Sequence, residues 1–515
     1  NPLGNNATYE SWNGRLGFDW VTADGLEIGL GGTWEEFELG AQPLVPRASS
    51  GNLKRVGFYD RNSSEQEIAS IDSNSQYLKL TQATDFGRIT SITTRNDWEI
   101  NPSVVDLTLG HTTLANADVA SGGPFVASTS TIIESQERIA EELTFSSDPD
   151  ENLIWNLGFL FSKDEINGAA ERTFPDPRLW QQTELTSFKN ETDTIGVFGS
   201  LRKNITEDIA FELGLRYDNT SRDYSRNKTV TSFPSGSGNN FTNALTGSLD
   251  DDFFSPSILL TREINENLSV FSKASLSFKP GGFSPYVDSN STALMGISSN
   301  QFSKEENFGI EIGANLKSPD ETWNLSLTAF WNEVEDFQFE KPTGTTDYFV
   351  DNAEDVEIFG IEVELEANPN DRTTFSLTYG LVDGEIKKHV GKNFNAGTNA
   401  IDSHNFAGKS IPYSPEQTFG ASLGYLVSEN IVANLGIRNI GKIHYLDQTA
   451  TDTVNDSYTL LNASIGYASE EWEMSVFGTN LTDEEYYSSL VSSLEGVPGI
   501  VGSPRVIGLS ISREF

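Results

Sequence analysis

Residues 209–218 read Ile-Ala-Phe-Glu-Leu-Gly-Leu-Arg-Tyr-Asp, and every odd position in this stretch carries an apolar or aromatic side chain. The even positions carry small or charged residues. Residues 323–332 repeat the pattern as Trp-Asn-Leu-Ser-Leu-Thr-Ala-Phe-Trp-Asn. Because successive side chains of a strand point to opposite faces, one face of each segment suits lipid and the other suits water. The sequence therefore predicts an all-β fold, a transmembrane antiparallel β-barrel.

Segments of this kind recur along the whole chain, and no change in composition divides its 515 residues. We therefore expect one domain, residues 1–515, formed by a β-barrel. Nineteen strands are predicted, at residues 8–20, 25–39, 75–85, 88–100, 135–146, 152–164, 190–203, 207–221, 252–262, 267–279, 304–317, 322–338, 347–367, 373–386, 414–427, 430–445, 457–467, 472–480 and 505–515.

The connections between these strands alternate in length. Nine are tight turns, at residues 21–25, 86–87, 147–151, 204–206, 263–266, 318–321, 368–372, 428–429 and 468–471. Most of the others are long and polar, such as residues 101–134, 163–189, 219–251 and 280–303. Bacterial outer-membrane barrels have short periplasmic turns and long extracellular loops, so the nine turns predict the periplasmic rim.

An odd number of strands has a consequence for the whole barrel. If Phe515 lies in the periplasm, nineteen antiparallel strands place Asn1 outside the cell. Closed bacterial barrels have an even number of strands, so an odd number is expected ahead of Asn1. Three more would complete a barrel of the 22-stranded class, whose lumen is plugged.

Composition excludes several classes of function. The chain has no cysteine and only four scattered histidines, so a thiolate or imidazole metal site is not expected, and no cofactor is predicted. Its 34 basic and 75 acidic residues give a net charge of −41, which opposes binding to nucleic acid. No run of about 18 apolar residues offers a transmembrane helix.

Several motifs resemble those of TonB-dependent outer-membrane receptors, and they occur in the family's order. These are the Ser-Ile-Thr core of residues 89–95, the hairpin at 139–161, the Gly-Leu-Arg-Tyr-Asp of 214–218, the Phe-Lys-Pro-Gly-Gly-Phe of 278–283, residues 311–313, 352–353, 360–362 and 411–415, the Asn-Leu-Thr-Asp-Glu-Glu-Tyr-Tyr of 480–487, and the terminal Phe515. The resemblance implies active uptake of a scarce small-molecule ligand, such as an iron-siderophore complex, another metal chelate or an oligosaccharide.

The resemblance also implies partners. Members of the family have an N-terminal plug and a short box that contacts TonB and its inner-membrane complex, and neither occurs in residues 1–515. Lipid and lipopolysaccharide of the outer membrane are the expected surroundings. A passive porin-like channel, consistent with a wide polar lumen, and a soluble β-rich binding or surface protein remain as alternatives.

Five residues are candidate ligand contacts in the outer loops: Arg178, Trp180, Lys279, Phe283 and Tyr286. Trp180 is preferred because it lies mid-loop, whereas an aromatic girdle occupies strand ends. For residues 279–283 the competing interpretation is structural, since paired glycines that tolerate positive φ permit a sharp bend.

Carboxylate runs such as residues 250–252 could hold a divalent ion but are more often solvated surface. No arrangement of catalytic side chains can be argued from residues so far apart in a barrel, and no enzymatic activity is predicted.

Overall fold

The computed structural model describes residues 9–40, 44–45, 68–106, 129–149, 153–174, 182–232, 240–286, 300–342, 348–395, 400–446, 452–490 and 499–513. The first strands are β1 (Tyr9–Val21), β2 (Leu26–Leu39), β3 (Leu44–Val45), β4 (Ile68–Thr84), β5 (Gly87–Asp106), β6 (Thr129–Ser146), β7 (Leu153–Phe174), β8 (Gln182–Asn204), β9 (Ile209–Ser232), β10 (Phe241–Asn265), β11 (Leu268–Lys279), β12 (Gly282–Phe283), β13 (Gln301–Phe302), β14 (Glu305–Lys317) and β15 (Trp323–Pro342).

The remaining strands are β16 (Tyr348–Asn370), β17 (Thr373–Lys388), β18 (Val390–Asn395), β19 (Ala400–Asn405), β20 (Lys409–Ser410), β21 (Gln417–Ser428), β22 (Ile431–Ile440), β23 (Ile443–Leu446), β24 (Asp452–Asn455), β25 (Tyr458–Ala468), β26 (Trp472–Thr479), β27 (Tyr487–Leu490), β28 (Gly499–Val501) and β29 (Val506–Arg513). No helix in the described part of the chain is long and apolar enough to cross a membrane.

Nineteen long strands form one antiparallel sheet, in which each pairs with the next along the chain. They are β1, β2, β4 to β11, β14 to β17, β21, β22, β25, β26 and β29, and the two-residue β20 joins the sheet beside β17. The all-β antiparallel fold and the number of long strands confirm the prediction from alternation.

The edges of this sheet are β1 and β29. Among the described residues β1 pairs only with β2, and β29 pairs only with β26. Eighteen antiparallel steps separate these two strands, so they run in the same direction. A short sheet links the two sides of the molecule, because β3 follows β2 and pairs with β28, which precedes β29.

Each of the nine predicted turns joins two long strands that pair with each other; we call this edge the short-turn rim. Polar side chains close several of these turns by accepting backbone N–H bonds. Thr22 Oγ1 accepts from Leu26 N at 2.9 Å, and Asn370 Oδ1 accepts from Arg372 N at 3.0 Å. Gly25, in the first turn, has φ of +84°, which a residue with a Cβ adopts less readily.

The opposite edge, the long-connection rim, differs from the prediction. Strands β7 to β10 run 22 to 25 residues, so most of the loops expected at 163–189 and 219–251 consists of paired strand. Strands β5 and β6 likewise extend into the loop expected at 101–134. A tilted strand of about 9–11 residues spans a bilayer, so these hairpins rise far above the apolar band.

The two faces of the wall are separated as the alternation predicts. Leu213 lies opposite Leu201 and Ile258 in register, and Leu215 and Tyr217 on the same face are 43% and 46% exposed. Tyr224, at an even position of β9, donates its hydroxyl to Pro285 O, which belongs to a segment inside the barrel. Even positions of β9 therefore face the interior, and odd positions face outward.

Carboxylates follow the outward apolar band on many strands, toward the long-connection rim. We call this set of outward-facing residues the acidic collar; its members are Glu36, Glu165, Asp193, Asp252, Glu306, Glu333, Glu357 and Asp383. Tyr217, at the upper end of the band, donates its hydroxyl to Asp252 at 2.6 Å. Eight strands therefore each carry an outward-facing carboxylate immediately above the apolar band.

Inward-facing aromatic rings cover bare glycines on the neighbouring strand. A Cβ at Gly360 would lie 2.0 Å from the Phe330 ring, whereas a Cβ at Gly436, also inside the barrel, would meet nothing closer than 4.0 Å. We expect Gly360→Val to lower the free energy of unfolding by about 1–3 kcal/mol, because the added methyls overpack the wall. Urea titration of the refolded protein measures this.

Gly436→Val is the matched control and should be close to neutral. Adding Phe330→Ala to Gly360→Val should recover part of the loss, since the ring that causes the clash is then gone. Equal losses for the two valine variants would contradict this account of the glycine.

Candidate functional site

The interior of the long-connection mouth is crossed by residues 280–286, Pro-Gly-Gly-Phe-Ser-Pro-Tyr, which we call the strap. The strap leaves β11 after Lys279 and contains β12, which pairs with β13. Its residues contact inward-facing side chains of both neighbouring and distant strands. Three of the five predicted contact residues, Lys279, Phe283 and Tyr286, lie in the strap or at its root.

Phe283 is fixed by stacking. Its ring lies parallel to that of Tyr224, with centroids 4.7 Å apart and an interplanar angle of 6°. The Phe283 ring also covers Gly247 of β10, where a Cβ would approach to 2.5 Å. Burial raises the pKa of Tyr224 to about 12, so its hydroxyl stays protonated and remains a donor at physiological pH.

Tyr286, further along the strap, contacts both aromatic and charged side chains. Its ring meets Phe188 edge to face at 5.6 Å, and the Arg172 guanidinium lies 5.4 Å from the ring centroid. Its hydroxyl donates to Glu134 Oε2 at 3.4 Å. Burial raises the pKa of the Glu134 carboxyl, although this hydrogen bond acts in the opposite direction.

The glycines of the strap let its backbone approach neighbouring atoms closely. Neither Gly281 nor Gly282 has positive φ, so the chain leaves the wall here without the left-handed conformation on which the predicted bend relied. A Cβ at Gly281 would lie 2.7 Å from Phe302 O, and one at Gly282 would lie 2.5 Å from Arg222 Nη1. Side chains at these positions would push the strap away from its supports.

A row of cations follows the inner face of the tall hairpins behind the strap. Arg222 donates to Gly281 O and to Thr192 Oγ1, and Arg226 donates to Asn243 Oδ1 at 2.6 Å. Lys228 is fully buried and pairs with Glu184 at 3.1 Å. Carboxylates lie beside these cations, Glu184 beside Lys228 and Asp251 beside Arg222, so the row is a set of charge-paired side chains behind the strap.

Sequence reasoning missed this row because its residues fell inside a stretch interpreted as loop. The signal was present: Arg222, Tyr224, Arg226 and Lys228 alternate with polar residues in a period of two. Lys279 is exposed at the end of β11, where the register sets it opposite Glu305. Arg178 and Trp180 lie outside the described residues, and all five candidates stay predictions as ligand contacts.

Metal ligation has no support here. The described residues contain no group of three or more His, Asp or Glu side chains placed to hold a metal ion. The described charged and aromatic side chains of the mouth contact one another, as in the Lys228–Glu184 ion pair and the Tyr224–Phe283 stack.

Comparison with known proteins identifies the barrel. The family model described as TonB dependent receptor-like, beta-barrel matches residues 1–481. The chain belongs to this family. Membership confirms the resemblance seen in the motifs, and it confirms that this receptor barrel is not an enzyme.

A curated relative and two solved structures show how the receptor barrel compares with known members. The catecholate siderophore receptor Fiu of Escherichia coli O6:H1 is 22% identical over 350 residues, which are 63% of this chain and 42% of that protein. The chain thus spans less than half of the length of that relative. The ferric yersiniabactin uptake receptor FyuA from Yersinia pestis superimposes with a TM-score of 0.76 at 16% identity, covering 98% of this chain and 71% of that one.

The siderophore receptor PiuA from Acinetobacter baumannii superimposes with a TM-score of 0.74 at 17% identity, over 99% of this chain and 74% of that one. At such identities the superpositions establish the fold, and fold alone does not give a substrate.

Proposed function

We propose that this protein is an outer-membrane receptor that takes up a scarce ligand, most simply an iron-siderophore complex, with energy supplied through TonB. Family membership carries the proposal. Fiu, FyuA and PiuA are each described as receptors for siderophores or their ferric complexes, which supports this ligand class. The outward face of the barrel lies against lipid and lipopolysaccharide.

The whole protein is expected to contain more than residues 1–515. We infer that a plug and about three further strands belong to it. The chain spans only 42% of the curated relative Fiu, and among the described residues the outer edges of β1 and β29 have no partner strand, which would cost several kcal/mol for each unpaired backbone group in hydrocarbon. Strands that pair with both edges remove this cost, and an odd number of them keeps every pairing antiparallel. The sequence encoded upstream of Asn1 tests this directly.

Uptake can be measured in cells that lack their own siderophore receptors. We expect the full-length protein to accumulate radioactive iron from a ferric catecholate or a ferric yersiniabactin-type complex, with saturation at rising concentration. Saturation follows from a finite number of binding sites, and dependence on TonB follows from energised release. A parallel strain without TonB should lose the uptake.

Uptake that rises linearly with concentration and persists without TonB would instead establish the porin-like channel. Saturable, TonB-dependent uptake of an oligosaccharide in place of iron would keep the transporter and replace the ligand class.

A further inference from the structure

The strap is held from two sides of the barrel. On the β9 and β10 side, Arg222 donates to Gly281 O, and Asp251 Oδ2 accepts from Gly281 N at 3.0 Å. On the β15 and β16 side, Gln338 Nε2 donates to Pro280 O at 2.9 Å, and Ser284 Oγ accepts from Val350 N at 3.0 Å. Hydrogen bonds to strands on either side of β11 leave the strap little freedom to move toward either group of strands.

The contacts of Ser284 and Tyr286 show where the strap runs. Ser284 meets β16 through Val350, and two residues later Tyr286 meets β6 through Glu134. Eight inter-strand spacings separate β6 from β16 along the wall, a path of about 40 Å at 4.7–4.9 Å each. Two residues of extended chain cover only about 7 Å. The strap therefore leaves the wall, and the upper ends of β6 and β16 approach it inside the mouth.

The space between the strap and the tall hairpins is filled. Tyr224 is 4% exposed, and Phe188 lies over Gly168, where a Cβ would approach its ring to 2.1 Å. Thr220, beneath the strap and opposite Asp251 in register, is 7% exposed. A molecule of siderophore size has no room in this sector.

We propose that the strap is a fixed partition of the barrel mouth. It closes the sector lined by β7 to β10 and confines ligand passage to the remaining sector, lined by strands such as β2, β4 and β5. The partition limits the size of the molecule that reaches the lumen. This role in specificity rests on the proposed uptake function, but the existence of the partition does not. Ligand contacts on the open side then include Lys279, which is exposed at the root of the strap.

The absence of native cysteine makes the partition measurable by thiol labelling on intact cells. Thr220→Cys places a thiol behind the strap, and Ser73→Cys, on the inner face of β4 opposite Trp98, is the matched control on the open side. A polyethylene-glycol maleimide should label Thr220→Cys on the order of tenfold more slowly than Ser73→Cys, because a packed surface exposes a thiol only through local opening.

The decisive measurement removes the side chains that hold the strap in place. With Phe283→Ala and Tyr286→Ala added, the labelling of Thr220→Cys should rise toward that of Ser73→Cys. If the double variant does not reach the surface, Phe283→Ala alone serves the same purpose. Equal labelling of the two thiols with the native strap, or unchanged protection after its release, would overturn the partition.

Iron uptake by the same strains separates the two proposals. Protection of Thr220→Cys without uptake would refute the proposed function and keep the partition. Saturable uptake with no protection would refute the partition and keep the function.

Discussion

Leu213→Arg should lower the stability of the refolded barrel by about 2–4 kcal/mol, while Glu212→Arg, one residue earlier, should cost little. Leu213 lies at the middle of the outward apolar row of β9, between Leu201 and Ile258 of the adjacent strands. An arginine there must leave its charge in hydrocarbon or bend toward an interface. Glu212 faces the interior, where a charge can remain hydrated.

Denaturant titration of the two variants, refolded into the same lipid vesicles, gives the comparison. The two substituted positions are adjacent in β9 and both receive an arginine. Effects of strand position and of the arginine itself therefore cancel in the comparison. Equal losses at both positions would mean that β9 does not separate a lipid face from a lumen face.

An epitope inserted at Ser428-Glu429 should be invisible to antibody on intact cells and fully stained after permeabilisation. This site lies in the tight turn between β21 and β22, on the short-turn rim. The same epitope inserted between β9 and β10 should be stained on intact cells, because those strands end at the opposite rim. The difference follows from the antiparallel pairing, which sends alternate connections to opposite sides.

Flow cytometry of both strains, before and after permeabilisation, measures the result. Comparable staining of the permeabilised strains controls for expression. Surface staining of the Ser428 insertion would reverse the assignment of the rims, and with it the side from which ligand enters.

The sequence predicted the membrane-level architecture because the bilayer imposes a simple rule on it. In hydrocarbon most outward positions are apolar, so strands such as residues 209–218 show their alternation plainly. Turns such as 22–25 were equally visible, since Thr22, Asp24 and Gly25 supply the hydrogen bonds and the positive φ that a tight turn requires.

Above the bilayer this rule no longer applies. Strands β8 and β9 continue as polar ladders with both faces hydrophilic, and alternation of apolar residues cannot reveal them. Loops were therefore predicted where the structure has hairpins. The extensions are stabilised by interior contacts, such as the Lys228–Glu184 ion pair, that only the folded register brings together.

In the mouth, too, part of the structure could be predicted from the sequence and part could not. Residues 278–283 carry a motif of the family, and the structure shows that their side chains and backbone contact inward-facing residues of the wall. Their partners could not be predicted, because Tyr224, Gln338 and Glu134 come from strands far apart in sequence. Loop closure over such separations is set by the curvature of the whole wall and leaves no local signature.

The acidic collar has a consequence for how deeply the barrel is immersed. Sinking by one pair of residues, about 5 Å along the membrane normal for a tilted strand, would carry carboxylates such as Asp193, Asp252 and Glu333 into hydrocarbon on several strands at once. Rising by the same distance would expose the aromatic upper edge of the band to water. These two penalties oppose each other around much of the circumference, so the barrel has a preferred depth and resists tilting. That depth also fixes the heights of the strap and the tall hairpins above the lipid surface.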